Sequence, residues 1–286
     1  MLEPYKKMVG NTKEKHSTHK KNALGTDAAI ATVSHEQKSN PLPKIILLIL
    51  WVGGVYLAVQ YLLAFLIRFI FQPTTNTPLL QTLYAISCYI ISILIILFVP
   101  KKINKKWGTN FEELGLIELP TWTDLGLAPV GFFLYVIFAN ILVALFSIFP
   151  WFSATERQDV GYNSAIFGPD RILALTSLVI IAPIVEEIIF RGFLYGKLKK
   201  NLLKNSNKKT RKERIKVKLK IALAILITSL LFAIMHRQWN VGINVFALSV
   251  VLCLFREITG TIYAGIIVHM LKNAIAFYLL YVIGMG

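Results

Sequence analysis

From Lys44 almost to the C-terminus, the sequence is built of long apolar runs divided by short polar stretches. Roughly seven can be drawn, at 44–71, 79–99, 125–149, 171–196, 217–236, 241–255 and 260–282. A hydrocarbon core needs about 20 apolar residues in a helix to cross it. The runs therefore predict an all-α, polytopic membrane helix bundle with about seven transmembrane helices. The fifth and sixth are marginal in length, so six or eight spans are the alternative counts. The fifth reaches full length if the lysines of "IKVKLK" extend to the interface while Ile215, Val217 and Leu219 stay buried. The sixth, "VGINVFALSVVLCLF", is expected to be short, tilted or thinly covered by lipid. Composition agrees, since 55% of the residues are hydrophobic, above the usual share in a soluble domain.

The net charge of +16 does not point to nucleic acid. Its lysines and arginines lie mainly in the N-terminal stretch and in loops between spans, where basic residues mark the cytoplasmic side and meet anionic lipid. Residues 1–43 lack any sustained apolar period and read as a disordered, basic cytoplasmic tail. Within it, His16 and His19 of "KEKHSTHKK" read as solvated side chains rather than metal ligands. The first apolar run is too long for the core of a cleavable signal peptide. The basic loops "PKKINKKW" and "KLKKNLLKNSNKKTRKERIKVKLK" alternate with nearly neutral ones such as "QPTTNTP". That alternation predicts a cytoplasmic N-terminus, with the second and fourth loops on the same side and the C-terminus outside. The segment "GTNFEELGLIE" reads equally as an amphipathic stretch on the cytoplasmic surface or as plain linker. Cys88 and Cys253 both lie in apolar runs, which argues against a disulfide framework. A Lys-, Ile- and Asn-rich composition suits a bacterial cell membrane.

Against this apolar background, a few ionisable groups stand out. The fourth run carries Glu186, Glu187 and Arg191, the fifth ends at His236, and the seventh carries His269, Lys272 and Asn273. A carboxylate at the bilayer centre costs about 2.5–3.5 kcal/mol on insertion scales, so such a residue is by default a functional candidate. Glu187 and Arg191 stand four apart, acid first, the favourable order for an ion pair along one helix face. Glu186 points about 100° away from Glu187 and is left over. His269 and Asn273 share a face by the same spacing, as do Phe232 and His236. Each residue alone is also explained as polar glue between helices. The set as a whole is not, because glue needs neither a carboxylate pair nor two histidines from separate helices.

Helical rise offers a depth check. Glu186 lies ~16 Å from Lys197 and His269 ~18 Å from Glu257, whereas His236 lies ~24 Å from Lys220. The last value is expected to reflect a fifth helix that begins below the interface and continues through "ERIKVKLK". Pro183 should free the carbonyl of Val179 and kink the fourth helix three residues before Glu186.

One or two carboxylates, two imidazoles and an amide around a wet pocket suit hydrolysis: a carboxylate as general base, histidines holding the water or a metal, an amide donating to an oxyanion. No phosphate loop, dinucleotide fingerprint, GxSxG elbow or HExxH helix is present in the sequence. A proton-relay transporter is the further option, disfavoured because no paired inverted repeat is apparent.

The residues "EEIIFR", "FAIMH" and "HMLKN" match, in order, the EExxxR, FxxxH and HxxxN motifs of the CPBP intramembrane proteases. That family includes CAAX prenyl endopeptidases and bacterial bacteriocin-processing or immunity proteins. The resemblance covers about residues 122–282 and divides the chain into the tail 1–43, N-terminal helices and linker at 44–121, and a CPBP-like catalytic membrane domain at 122–286. It implies an intramembrane endopeptidase acting on a membrane-associated peptide or protein within the lipid bilayer, with no nucleic-acid partner. Glu186 would activate water beside His236 and His269, with Asn273 at the oxyanion, and Glu187, Arg191 and Phe232 supporting. Family members are described both as metalloproteases and as metal-free glutamate proteases. Zinc on Glu186, His236 and His269 therefore stays open beside activation without an obligatory metal. The alternative within the family is a non-catalytic scaffold or bacteriocin-immunity protein.

Overall fold

A computed structural model of the chain describes residues 40–71, 77–103, 107–117, 119–153, 162, 167–204, 206 and 209–284. The expectation for the tail 1–43 falls almost wholly outside the described residues. Among those described, every regular element is helical and seven helices are long and apolar enough to cross a membrane. They are α1 (Leu42–Phe71), α2 (Pro78–Ile103), α4 (Trp122–Phe146), α5 (Pro169–Leu203), α6 (Arg211–Met235), α7 (Trp239–Thr259) and α8 (Tyr263–Ile283), with the single turn α3 (Phe111–Leu114) between α2 and α4. The count of seven stands.

The marginal fifth and sixth runs become full helices, each for its own reason. Helix α6 starts at Arg211, where Thr210 and Glu213 cap one another's backbone N–H groups in a capping box. It descends below Lys220, whose ammonium reaches the Ser206 hydroxyl at 2.8 Å. This explains the apparent depth of His236: the helix does run down through "ERIKVKLK". Helix α7 is short because it faces protein. About 61% of its most apolar window is buried, the highest share of any span. Val241, Val245 and Cys253 enter a core with α1, α5 and α6, whereas Leu248, Val251, Leu252 and Phe255 pack with Ala128, Ala264 and Val268 of α4 and α8. A central helix touching little lipid needs less hydrophobic length than one that wears the bilayer.

Close helix crossings rely on small residues, as is usual where lipid supplies no drive for association. A Cβ on Gly131 of α4 would lie 2.5 Å from the Phe255 ring and 2.9 Å from Val268.

The stretch read as an amphipathic surface segment or a plain linker holds one short helix tied to its neighbours. Asn110 caps α3, and Gly115, at φ +78°, ends it after four residues. Leu114 is buried against Gly192 of α5. Glu113 accepts hydrogen bonds from Lys197 (2.7 Å) and Lys200 (2.6 Å), while its carbonyl takes one from Arg256 of α7 (3.0 Å). The Ile262 N–H then donates to the Gly115 carbonyl at 3.2 Å. Thus α3 is a staple across the ends of α5, α7 and α8. Partial burial alone would raise the Glu113 carboxyl, but the two lysine hydrogen bonds outweigh it and hold the group down at about 2, so it stays charged at neutral pH.

Overpacking at the α4–α7–α8 crossing should be measurable. Gly131→Ala is expected to cost about 1–3 kcal/mol, read as a lower midpoint of thermal unfolding in detergent, with Phe255→Leu restoring part of the loss. An unchanged midpoint would mean that α4 is not seated as described.

Candidate active site

Helix α5 carries the acids, and its backbone is not a plain α-helix. Thr176–Ile181 and Ile188–Tyr195 are π-helical, flanking an α-helical segment from Ala182 to Glu187. Wide turns of this kind occur preferentially at functional sites, where they re-aim side chains. Pro183 sits just after the first. There the Ala182 N–H bonds the Ser177 carbonyl, five residues back. In that register, proline's missing donor leaves the carbonyl of Leu178 wanting, not that of Val179 as an α-helical count predicts. Asn273 of α8 takes it up, its Nδ2 donating to the Leu178 oxygen at 2.8 Å. One of the two Nδ2 hydrogens is thus spent on the backbone, and one remains.

The two acids separate cleanly. Glu187 has no exposed surface; its Oε1 accepts from Arg191 Nη1 at 2.8 Å and lies 3.0 Å from His269 Nδ1. Its Oε2 has no hydrogen-bond partner among the described residues and is accommodated opposite Gly265, where a Cβ would come within 3.2 Å of it. The guanidinium of Arg191, also fully buried, lies 4.3 Å over the Phe232 ring, adding a cation–π contact to the ion pair. Phe232 touches both imidazoles edge-on, with centroids 4.9 Å from His236 and 5.9 Å from His269.

Glu186 is the acid that faces the cavity. Its Oε1 accepts a hydrogen bond from the Tyr89 hydroxyl of α2 at 3.0 Å, and its Oε2 lies 3.8 Å from His269 Nε2. The latter gap is too long for a direct hydrogen bond and suits one bridging water. His236 caps the C-terminus of α6, and its Nδ1 is 2.8 Å from the Phe232 carbonyl. A carbonyl only accepts, so that nitrogen carries the proton. Glu187, paired with a guanidinium, imposes the same tautomer on His269. Both histidines therefore keep an Nε2 lone pair for something else. The Arg237 backbone just after His236 is left-handed at φ 58°, a conformation uncommon outside glycine, so the turn into α7 is strained beside the site.

A cavity of about 560 Å³ joins these groups: Glu186, His236, His269, Lys272 and Asn273 all line it, as do Tyr89 and Phe232. The expected site residues are therefore gathered, with Arg191 and Glu187 behind the wall. Tyr89 is the participant that sequence reasoning missed. Tyr89 lies midway along α2, and nothing in "SCYIIS" distinguishes a tyrosine that reaches an acid on another helix from one that packs in an apolar run.

Among the described residues, no three His, Cys, Asp or Glu side chains come together closely enough to hold a metal ion. Zinc on Glu186, His236 and His269 does not fit the side chains as placed.

Removing the counter-ion should be felt in folding before chemistry. Arg191→Ala strands Glu187, and breaking a buried pair on one side costs about 3–5 kcal/mol. The amount of folded protein in membranes is expected to fall more steeply than turnover per folded molecule. Normal abundance with abolished turnover would instead give Arg191 a direct part in the reaction.

No curated protein and no solved structure matches the chain. Residues 168–275 match the protein family described as type II CAAX prenyl endopeptidase Rce1-like. The matched stretch begins at the start of α5 and contains Glu186, Glu187, Arg191, Phe232, His236, His269 and Asn273. The resemblance carried by three short motifs thus extends from the start of α5 into α8, the stretch that brings Glu186, His236, His269 and Asn273 to the cavity.

Proposed function

We propose that the protein is an intramembrane endopeptidase in which Glu186 activates water to cleave a peptide bond of a membrane-associated polypeptide. The observation that carries this reading is the division of labour between adjacent acids. Glu187 is consumed by Arg191 and His269, whereas Glu186 faces the cavity with one oxygen held by Tyr89 and the other at bridging distance from His269 Nε2.

The steps balance with these groups alone. Water held between Glu186 Oε2 and the imidazoles gives a proton to the carboxylate as its oxygen bonds to the scissile carbonyl carbon. Negative charge develops on the carbonyl oxygen, and the remaining Asn273 N–H donates to it. The second hydrogen of that water is accepted by the Nε2 lone pair of His269, which fixes its orientation, while His236 borders the same cavity. As the C–N bond breaks, Glu186 returns the proton to the departing amine, leaving a carboxylic acid, an amine and the original carboxylate. Tyr89 holds Glu186 in one rotamer throughout.

Glu186→Gln keeps the shape and removes the base. It is expected to reduce cleavage by ~10²–10⁴-fold while membrane insertion and thermal midpoint stay unchanged, with products found by comparing membrane peptides from cells carrying either form. Misfolding or disappearance from the membrane would make Glu186 a structural residue instead.

Chelation discriminates the metal. Because Glu186, His236 and His269 do not form a ligand shell, activity is expected to survive exhaustive chelation with no zinc detected by elemental analysis. Loss of activity that returns stoichiometrically with zinc would replace the metal-free step.

A further inference from the structure

The cavity has a direction. Its deep end lies at Glu186 and Phe190, well inside α5. The residues lining its other end include Gln81, Tyr162, Arg237 and Tyr281. Gln81 is three residues from the start of α2, Arg237 two past the end of α6, and Tyr281 two before the end of α8. Each is within about one helical turn of its terminus, and all three termini lie at one end of the bundle, the end of the 72–77 and 236–238 connections.

At the opposite end of the bundle, α3 ties the helices together. Leu114 lies against Gly192, and Glu113, Lys197, Lys200 and Arg256 knit the segment to α5 and α7. Lys199 and Glu257 add an ion pair between α5 and α7. A cleft of about 250 Å³ under this staple shares no lining residue with the Glu186 cavity.

Charge distinguishes the two ends. The connections on the stapled side carry Lys101, Lys102, Lys105 and Lys106, and then the lysine-rich stretch from 197 to 220. On the cavity side, 72–77 has no charge, 236–238 has only Arg237, and 147–168 has Glu156, Arg157 and Asp159. Short loops rich in lysine and arginine stay in the cytoplasm.

We propose that the Glu186 cavity is entered from the extracytoplasmic face, so that the substrate is a polypeptide segment presented on the outer side of the membrane. The proposal rests on the hydrolase reading above and narrows its substrate. A cytosolic C-terminal tail would have to pass the α3 staple to reach Glu186. An outer segment would meet a mouth lined by the amide of Gln81 and by the hydroxyls of Tyr84 and Tyr281, which donate to the Gln60 and Tyr162 carbonyls and can accept from a peptide N–H.

Cysteine accessibility in intact cells tests the route. In a Cys88→Ala background, which keeps the fully buried Cys253, Gln81→Cys marks the mouth and the exposed Lys212→Cys marks the opposite end. The probe is a membrane-impermeant maleimide carrying a polyethylene glycol chain. Gln81→Cys is expected to shift in mobility on intact cells, and Lys212→Cys only after permeabilisation. Labelling of Lys212→Cys on intact cells, or failure of Gln81→Cys to label until permeabilisation or at all, overturns the proposal. The pattern should be identical in the Glu186→Gln protein, so that a failed protease reading and a failed route are told apart. The same reagent on intact Gln81→Cys cells is then expected to abolish formation of the Glu186-dependent peptides, which should be recovered from the medium. Their recovery from the cytosol overturns the outward route.

Discussion

A carboxylate with no access to solvent holds the centre of this bundle together. Glu187 joins Arg191 on its own helix to His269 on α8, and both contacts are at hydrogen-bond distance. Burying one charge in lipid is unfavourable, and burying two is tolerable only when they meet in good geometry with other polar partners. Here the arrangement is self-consistent: the guanidinium also covers Phe232, and the imidazole donates through Nδ1. One consequence concerns folding, since α5 and α8 cannot separate without exposing the pair. The other concerns chemistry, since a histidine fixed through Nδ1 presents Nε2 to the cavity. The acid that never touches the cavity thereby determines what faces it.

The backbone of α5 is adapted to the same end. Two π-helical stretches around Glu186 and Glu187 change which residues share a face, and Pro183 removes a donor between them. The unsatisfied Leu178 carbonyl is met by Asn273, one turn beyond His269 on α8. So α8 clasps α5 twice, through His269 to a side chain and through Asn273 to the main chain. Irregular backbone at membrane depth is tolerated where it is buried in protein or lines a cavity, and α5 has both kinds of surroundings.

Much of this was legible in the sequence because two signals are strong in membranes. Apolar runs reveal spans, and ionisable residues inside them stand out against the background. Helical spacing had already put Glu187 with Arg191, Phe232 with His236 and His269 with Asn273 and left Glu186 apart; packing of α5 on α8 then brought Glu187 to His269 and Asn273 to the α5 backbone. What escaped depended on relations between helices. Tyr89 looked like any phenol in an apolar run until α2 packed on α5. The carbonyl freed by Pro183 was misassigned by one residue because a π turn shifts the partner from four to five positions back. The segment around Glu113 read as an amphipathic stretch or plain linker, and its function as a staple required lysines and an arginine from distant positions. The short sixth run was judged against lipid, whereas α7 is mostly surrounded by protein.

The polar set also bears on whether this fold is used for catalysis or only for structure. A bundle needing glue alone would be served by the Glu187–Arg191–His269 cluster and the Asn273 clasp, which already tie α5 to α8. Glu186 adds little to that scaffold: its contacts are a phenol brought from α2 and an imidazole too distant for a direct hydrogen bond. The Nε2 of His236 is likewise left over once its Nδ1 has bonded its own helix. The two groups not required for cohesion, Glu186 and the His236 Nε2, both border the cavity, where His269 and Asn273 join them. A purely structural role explains the Glu187–Arg191–His269 cluster; it leaves the placing of Glu186 and of the His236 Nε2 unexplained, and the proposed hydrolysis gives both a use.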